Sequence, residues 1–170
     1  MASAESAYVD PSALRSLYVH DDRSARFCAW RMRMRGALPL TRFGRAELVN
    51  SVALAVHRNV LGPDGARAAL DDVETDIRAG RLSLIDALWR RTLDLAAELS
   101  DRHTARLGTR SLDVLHVATA VTLGMKQFVT YDERQGRSRE SWGWSSSLPD
   151  RRRRAPGHLT SEQTRIPKPL

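Results

Sequence analysis

Residues 111–124 are apolar on every side of a 3.6-residue turn: Val114, Leu115, Val117, Ala118, Ala120, Val121 and Leu123 leave no polar face. Such a segment is predicted to be a buried central helix. Thr109 or Ser111 suits its start and Gly124 its stop. Its first turn carries one charge, Asp113. A carboxylate against buried surface is costly unless compensated. The helix N-terminus supplies part of that compensation, and a metal ion could supply the rest.

The remaining hydrophobic pattern alternates short apolar runs with amphipathic stretches. Residues 7–9 (Ala-Tyr-Val) read as a buried strand that ends on Asp10, with a turn at Pro11 and a short helix over 13–18. Asp21 and Asp22 cap a helix over about 23–35, with Phe27, Trp30 and Met34 as an apolar stripe that reads as core packing. Residues 38–41 suggest a second strand, weakened by Pro39. Helices follow over about 44–59, with Leu48, Val52 and Val56 inward, and over 66–77 beyond the Gly62-Pro63-Asp64-Gly65 break. The second of these is acidic through Asp71, Asp72, Glu74 and Asp76, which reads as a solvated face. Residues 82–84 suggest a third strand, and 87–103 a helix with Leu88, Leu93, Leu95, Ala96 and Leu99 as core candidates. Residues 128–130 read as a buried strand, and Asp132 follows its end as Asp10 follows the first. Strand and helix in this order imply an α/β fold with a mostly parallel sheet.

Composition narrows the class. A chain of 170 residues, 42% hydrophobic, suits one ordinary core and one domain. No apolar run approaches the length of a membrane span, and the N-terminus lacks the pattern of a signal peptide. Cys28 is the only cysteine, so no internal disulfide can form, which fits a reducing cytoplasm; it reads as a small buried residue. The formal charge is +7. Residues 138–170 hold 7 basic and 3 acidic residues, more than half of that excess. A basic balance permits a polyanionic partner.

The chain has no G-x-G-x-x-G, Walker loop, paired C-x-x-C or G-x-S-x-G elbow. What stands out is a set of carboxylates at element ends: Asp10, Glu47, Asp113 and Asp132. In parallel sheets ligands bind beyond the carboxyl ends of strands, where Asp10 and Asp132 would sit. Each acid also has a plainer reading, Asp10 as a turn former before proline and Glu47 as a solvated first-turn acid. Brought together, the four would repel unless a cation neutralised them. An oxygen-only set suits Mg²⁺ or Mn²⁺.

Several stretches together resemble the PIN-domain ribonucleases, specifically VapC-like toxins of toxin–antitoxin pairs. They are residues 8–14 (Tyr-Val-Asp-Pro-Ser-Ala-Leu), Glu47-Leu48, residues 110–120 (Arg-Ser-Leu-Asp-Val-Leu-His-Val-Ala-Thr-Ala) and residues 128–135 (Phe-Val-Thr-Tyr-Asp-Glu-Arg-Gln). The resemblance implies a three-layer α/β/α sandwich, an acidic Mg²⁺ or Mn²⁺ site, hydrolysis of RNA to a 5′-phosphate and a 3′-hydroxyl, and control by a cognate antitoxin protein. It makes Asp10 and Asp113 the principal metal ligands, with Glu47 and Asp132 completing the cluster directly or through water. Ser12 would support the ligand carboxylates. Arg110 would hold RNA phosphate, with a surface ion pair as its other reading. His116 suggests a proton shuttle, but its apolar helix favours a hydrogen-bonded packing role. Trp30 and Met34 are candidates for an exposed antitoxin-binding surface. A homodimer is compatible with the sequence. The rival class is a non-catalytic PIN-like module that binds RNA or protein.

The nuclease-like domain is thus expected over 1–137, with an atypical basic tail over 138–170. After Gln135 the family pattern calls for a short helix, a glycine and a final apolar strand. The chain instead reads Trp142-Gly143-Trp144 and three serines, then Arg151-Arg152-Arg153-Arg154 and a polar, proline-containing end. That composition predicts disorder; the arginines could also bind RNA electrostatically. The genetic code offers a third reading. If the serines use TCG codons, the bases encoding Trp-Gly-Trp-Ser-Ser-Ser give, two bases on, Gly, then Leu, Met or Val, then Val-Val-Val. That is the missing turn and strand, and it suggests a frameshift near residue 136. Sequencing the gene tests it: codons without an apolar strand in the alternate frame defeat it.

Overall fold

The structure, a computed structural model, describes residues 2–132. The readings of the basic tail, from residue 138 on, lie outside the described residues.

In chain order the elements are β1 (Ala2–Ser3), β2 (Ala7–Val9), α1 (Pro11–Leu14), α2 (Ser24–Met32), β3 (Met34–Arg35), β4 (Leu38–Thr41), α3 (Arg42–His57), α4 (Pro63–Arg78), β5 (Leu82–Ile85), α5 (Trp89–Leu107), α6 (Ser111–Thr122) and β6 (Gln127–Val129). All described strand pairs are parallel: β1 with β3, β2 with β6, and β4 with β5. The register pairs Tyr8 with Phe128 and Leu40 with Leu84. β2 also lies beside β4, which joins the two larger pairs into one layer. Continuous burial of Ala7, Tyr8 and Val9 fits a parallel strand covered on both faces. Helices α3, α4, α5 and α6 pack in pairs around this layer, α3 on α4 and α5 on α6.

Pro39 does not break β4. Leu38 donates its N–H to Arg81 O at 3.0 Å. Donors alternate sides along a strand, so the N–H that Pro39 lacks would point away from β5, toward the side where β2 lies beside β4 outside the described ladders. α3 starts at Thr41, whose hydroxyl accepts the Gly44 N–H at 3.1 Å as a helix cap. A Cβ at Gly44 would come within 2.9 Å of that hydroxyl oxygen and 3.8 Å of His116 Cε1. Gly44→Ala gains helix propensity of about 1 kcal/mol, but it displaces a buried cap worth a similar amount and strands its hydroxyl. The expected result is a net loss of about 1 kcal/mol in urea unfolding; a stabilised variant would show that Thr41 moves at no cost.

The main core joins Val9, Leu14, Phe27, Leu38, Leu48 and their neighbours. Trp30 and Met34 belong to it, 4% and 8% exposed. The expectation that they offer an exposed surface is therefore wrong, and Met34 lies in β3 rather than on the helix. α2 stops at Met32, and the chain turns both side chains inward. A second correction concerns α5. Leu88 and Leu93 are 51% and 53% exposed, because this helix packs chiefly on α6. Its one fully covered side chain is Thr92, which shares a hydroxyl hydrogen bond with Thr122 at 2.9 Å. Cys28 is half-buried rather than buried.

The acidic side of α4 is only partly a solvated face. Glu74 pairs with Arg45 of α3, and Asp76 pairs with Arg81 and accepts the Tyr18 hydroxyl at 2.8 Å. Burial pushes the Tyr18 phenol far above the ordinary tyrosine range, and the Asp76 carboxylate adds to the shift.

Candidate active site

Asp10 is the residue at which β2 becomes α1. Its backbone N–H continues the β2–β6 ladder to Val129 O at 2.9 Å, and its Oδ1 accepts the Ser12 N–H at 2.9 Å, capping the short helix. Pro11 at the first helical position needs no hydrogen bond there. These constraints hold a carboxylate that is 2% exposed at the carboxyl end of a parallel strand.

Thr130, just past β6, brings its hydroxyl within 3.5 Å of Asp10 Oδ1 and 3.4 Å of the Ser12 hydroxyl. Ser12 Oγ accepts the Tyr131 N–H at 3.2 Å, and Thr130 Oγ1 accepts the Asp132 N–H at 3.0 Å. The two strand ends are thus laced together around Asp10, with Asp132 half-buried beside them.

Glu47 rises from α3 toward the same place. Its Oε2 lies 2.6 Å from His116 Nε2, and Asp10 Oδ2 lies 3.9 Å from that nitrogen. His116 is fully buried on α6. Its Nδ1 lies 2.7 Å from the Tyr8 hydroxyl, and the Phe43 ring packs on it at 4.8 Å. The expected hydrogen-bonded packing role of His116 is what the structure shows. The Glu47 side chain keeps 34% of its surface in solvent, so the pair of carboxylates is open on one side. Tyr8 stacks on Phe128 with centroids 5.6 Å apart. Burial drives the Tyr8 phenol well above its ordinary range, an effect the Thr41 side chain partly offsets by hydrogen bonding.

Tyr8 and Tyr18 give a stability prediction. Both are raised in the folded state, so above pH of about 10 the unfolded phenols lose protons while the folded ones keep them. The unfolded state then binds fewer protons, and stability falls as pH rises, by up to about 1.4 kcal/mol per pH unit for each tyrosine. Urea midpoints should hold to about pH 9 and drop steeply between about pH 10 and 12. A flat profile there would place both phenols in contact with water.

Asp113 occupies the first turn of α6 and is half-buried, and its Oδ2 accepts the Arg110 N–H at 2.9 Å. Arg110 is exposed at that helix start. The structure therefore gathers Asp10, Ser12, Thr130 and, through His116, Glu47; Asp132 follows Thr130 beside them, and Asp113 lies one turn before His116 on α6. Among the described residues no group of three or more His, Cys, Asp and Glu side chains is placed to hold a metal ion. The donor chemistry nevertheless fits a hard cation. Mg²⁺ is usually held by one or two carboxylates with water and phosphate completing the shell, and Asp10 and Glu47 meeting at one imidazole nitrogen supply such a pair. A separate cleft of about 460 Å³ is lined by Tyr18, Met34, Asp76 and Arg81, among others, and by none of the four acids.

Sequence reasoning put Tyr8 and Thr130 in buried strands and in the family motifs, and Thr41 at the end of a suggested strand, but gave none of them a task at the site. The signal for Thr130 was its place at the end of a buried strand, two residues before an acid; nothing local links Tyr8 to a histidine 108 residues away.

A PIN domain family model matches residues 7–140. The structure is similar to that of VapC20 from Mycobacterium tuberculosis, a toxin that cleaves the sarcin–ricin loop, with a TM-score of 0.62 and 18% identity over 84% of this chain and 99% of that one. Comparison with curated protein sequences returns no match.

Proposed function

The chain belongs to the PIN domain family, and from that membership we propose that it is a Mg²⁺- or Mn²⁺-dependent endoribonuclease, the toxin of a toxin–antitoxin pair. The observation that carries this reading is the buried Asp10 carboxylate at the end of β2, with the open Glu47 carboxylate against the same His116 nitrogen. Asp10 and Glu47 would hold the cation, with Asp113 and Asp132 contributing directly or through water. A bound divalent ion supplies Lewis-acid stabilisation of phosphoryl oxygens and makes water more acidic. The chain's own residues do the positioning. Ser12 and Thr130 fix the Asp10 carboxylate, and Arg110, exposed at the start of α6, would hold an RNA phosphate. Water adds to phosphorus and the bond to the 3′-oxygen breaks, leaving a 5′-phosphate and a 3′-hydroxyl. RNA and a cognate antitoxin are the proposed partners, and the cytoplasm the proposed compartment. No described helix is long and apolar enough to cross a membrane.

A second reading is a non-catalytic module that binds RNA or protein; among the described residues no group of three or more His, Cys, Asp and Glu side chains is placed to hold a metal ion. One experiment separates them. Purified protein is incubated with structured RNA and Mg²⁺ or Mn²⁺, with and without EDTA, and new 5′ ends are mapped. Discrete metal-dependent cuts support the nuclease. Binding without cleavage at any metal concentration favours the module.

A further inference from the structure

Among the buried polar groups that the proposed function does not use is the imidazole of His116. It lies at the centre of a chain that runs from β2 to the open face of the site: Tyr8 hydroxyl to Nδ1 at 2.7 Å, and Nε2 to Glu47 Oε2 at 2.6 Å. A neutral ring beside a carboxylate admits one direction for this chain. A carboxylate only accepts, so Nε2 must carry a proton and donate it. In a neutral ring Nδ1 is then an acceptor, and the Tyr8 O–H donates to it. The ring cannot easily turn away, because Phe43 packs on it at 4.8 Å and Tyr8 is itself stacked on Phe128.

We propose that His116 is a positioning residue for the acidic site: the Tyr8 hydroxyl holds it as the Nε2–H tautomer, and Nε2–H fixes the Glu47 carboxylate beside Asp10 so that the two share one divalent cation. This rests on the nuclease reading and adds to it a buried support for a ligand that is otherwise a flexible, partly exposed glutamate. Outer partners of this kind orient ligands, and losing one typically costs about 10- to 100-fold in metal affinity. The carboxylate of Asp10, 3.9 Å from Nε2, is already held by Ser12, so the freedom that His116 removes is that of Glu47.

Two measurements on the full chain test this. Long-range ¹H–¹⁵N spectra of the metal-free protein should show His116, identified by its loss in His116→Leu, as a neutral Nε2–H tautomer, and Tyr8→Phe should mix the tautomers. Mn²⁺ titration followed by electron paramagnetic resonance should show affinity reduced about tenfold or more in His116→Leu, and largely restored in His116→Gln, whose amide can still donate to Glu47. Should His116→Leu fail to fold, Tyr8→Phe, which keeps the stack on Phe128, carries the test through its tautomer shift and weaker Mn²⁺ binding. A ring protonated at Nδ1 alone or at both nitrogens overturns the proposal, as does wild-type Mn²⁺ affinity in His116→Leu or in Tyr8→Phe with mixed tautomers. If the wild-type chain neither binds Mn²⁺ nor cuts RNA while the tautomer is as stated, the nuclease reading has failed and not the geometry of the chain. If it does both and His116→Leu matches it, only the positioning role has failed.

Discussion

Asp10→Asn is expected to reduce RNA cleavage by about 100- to 1,000-fold while leaving the fold intact. The contrast arises because Asp10 has two separable tasks. As the cap of α1 it accepts the Ser12 N–H, and asparagine caps a helix about as well as aspartate. As the proposed metal ligand it would bring a negative charge, which asparagine lacks; removing a few kcal/mol of transition-state stabilisation at tenfold per 1.36 kcal/mol gives the stated range. Asp113→Asn should behave alike, since its amide oxygen can still accept the Arg110 N–H. Initial rates on a labelled RNA, read beside thermal melts, decide the matter. Activity close to wild type in both folded variants, or activity that survives EDTA, would remove metal-assisted hydrolysis from consideration.

Phe128→Ala should cost about 3–5 kcal/mol, as for other large buried aromatics. Phe128 is completely buried on β6, stacked on Tyr8 and packed with Val117 and Ala120. Against a total stability of about 5–15 kcal/mol for a domain of ordinary size, the variant sits near the edge of unfolding. Leu93→Ala is the informative partner. The hydrophobic pattern of α5 makes Leu93 a core residue, for which truncation costs about 2–5 kcal/mol; its 53% exposure predicts a change within about 0.5 kcal/mol. Urea unfolding of the two variants side by side would show which description of α5 is right.

Those two positions show what the amino-acid pattern conveys. The element order, the parallel strands and a mostly buried α6 follow from local periodicity, although the face of α6 that carries Val121 is open, 44% exposed at that residue, and Asp10 and Asp132 are legible as acids just past strands. Periodicity reports that a face is apolar but not that another element covers it, which is why Leu88 and Leu93 read as core; for Trp30 and Met34 the inward stripe that periodicity suggests is the reading the structure bears out, and the exposed partner surface suggested for them is the one that fails. Pro39 misleads for a related reason: which side of a strand needs its donor depends on where the neighbour lies. The Tyr8–His116–Glu47 chain is invisible locally, because its members come from three elements and meet only through packing.

The pairing of β2 with β6 has a consequence in time. Asp10 and Thr130 are 120 residues apart in the chain. At about 5–20 residues per second a ribosome needs about 6–24 s to travel that distance. Throughout that interval the nascent chain carries Asp10 with no Val129 carbonyl to receive its N–H and no Thr130 hydroxyl beside its carboxylate. The acidic centre is therefore among the last parts of the domain to be completed during synthesis, although Asp10 is among the earliest residues made.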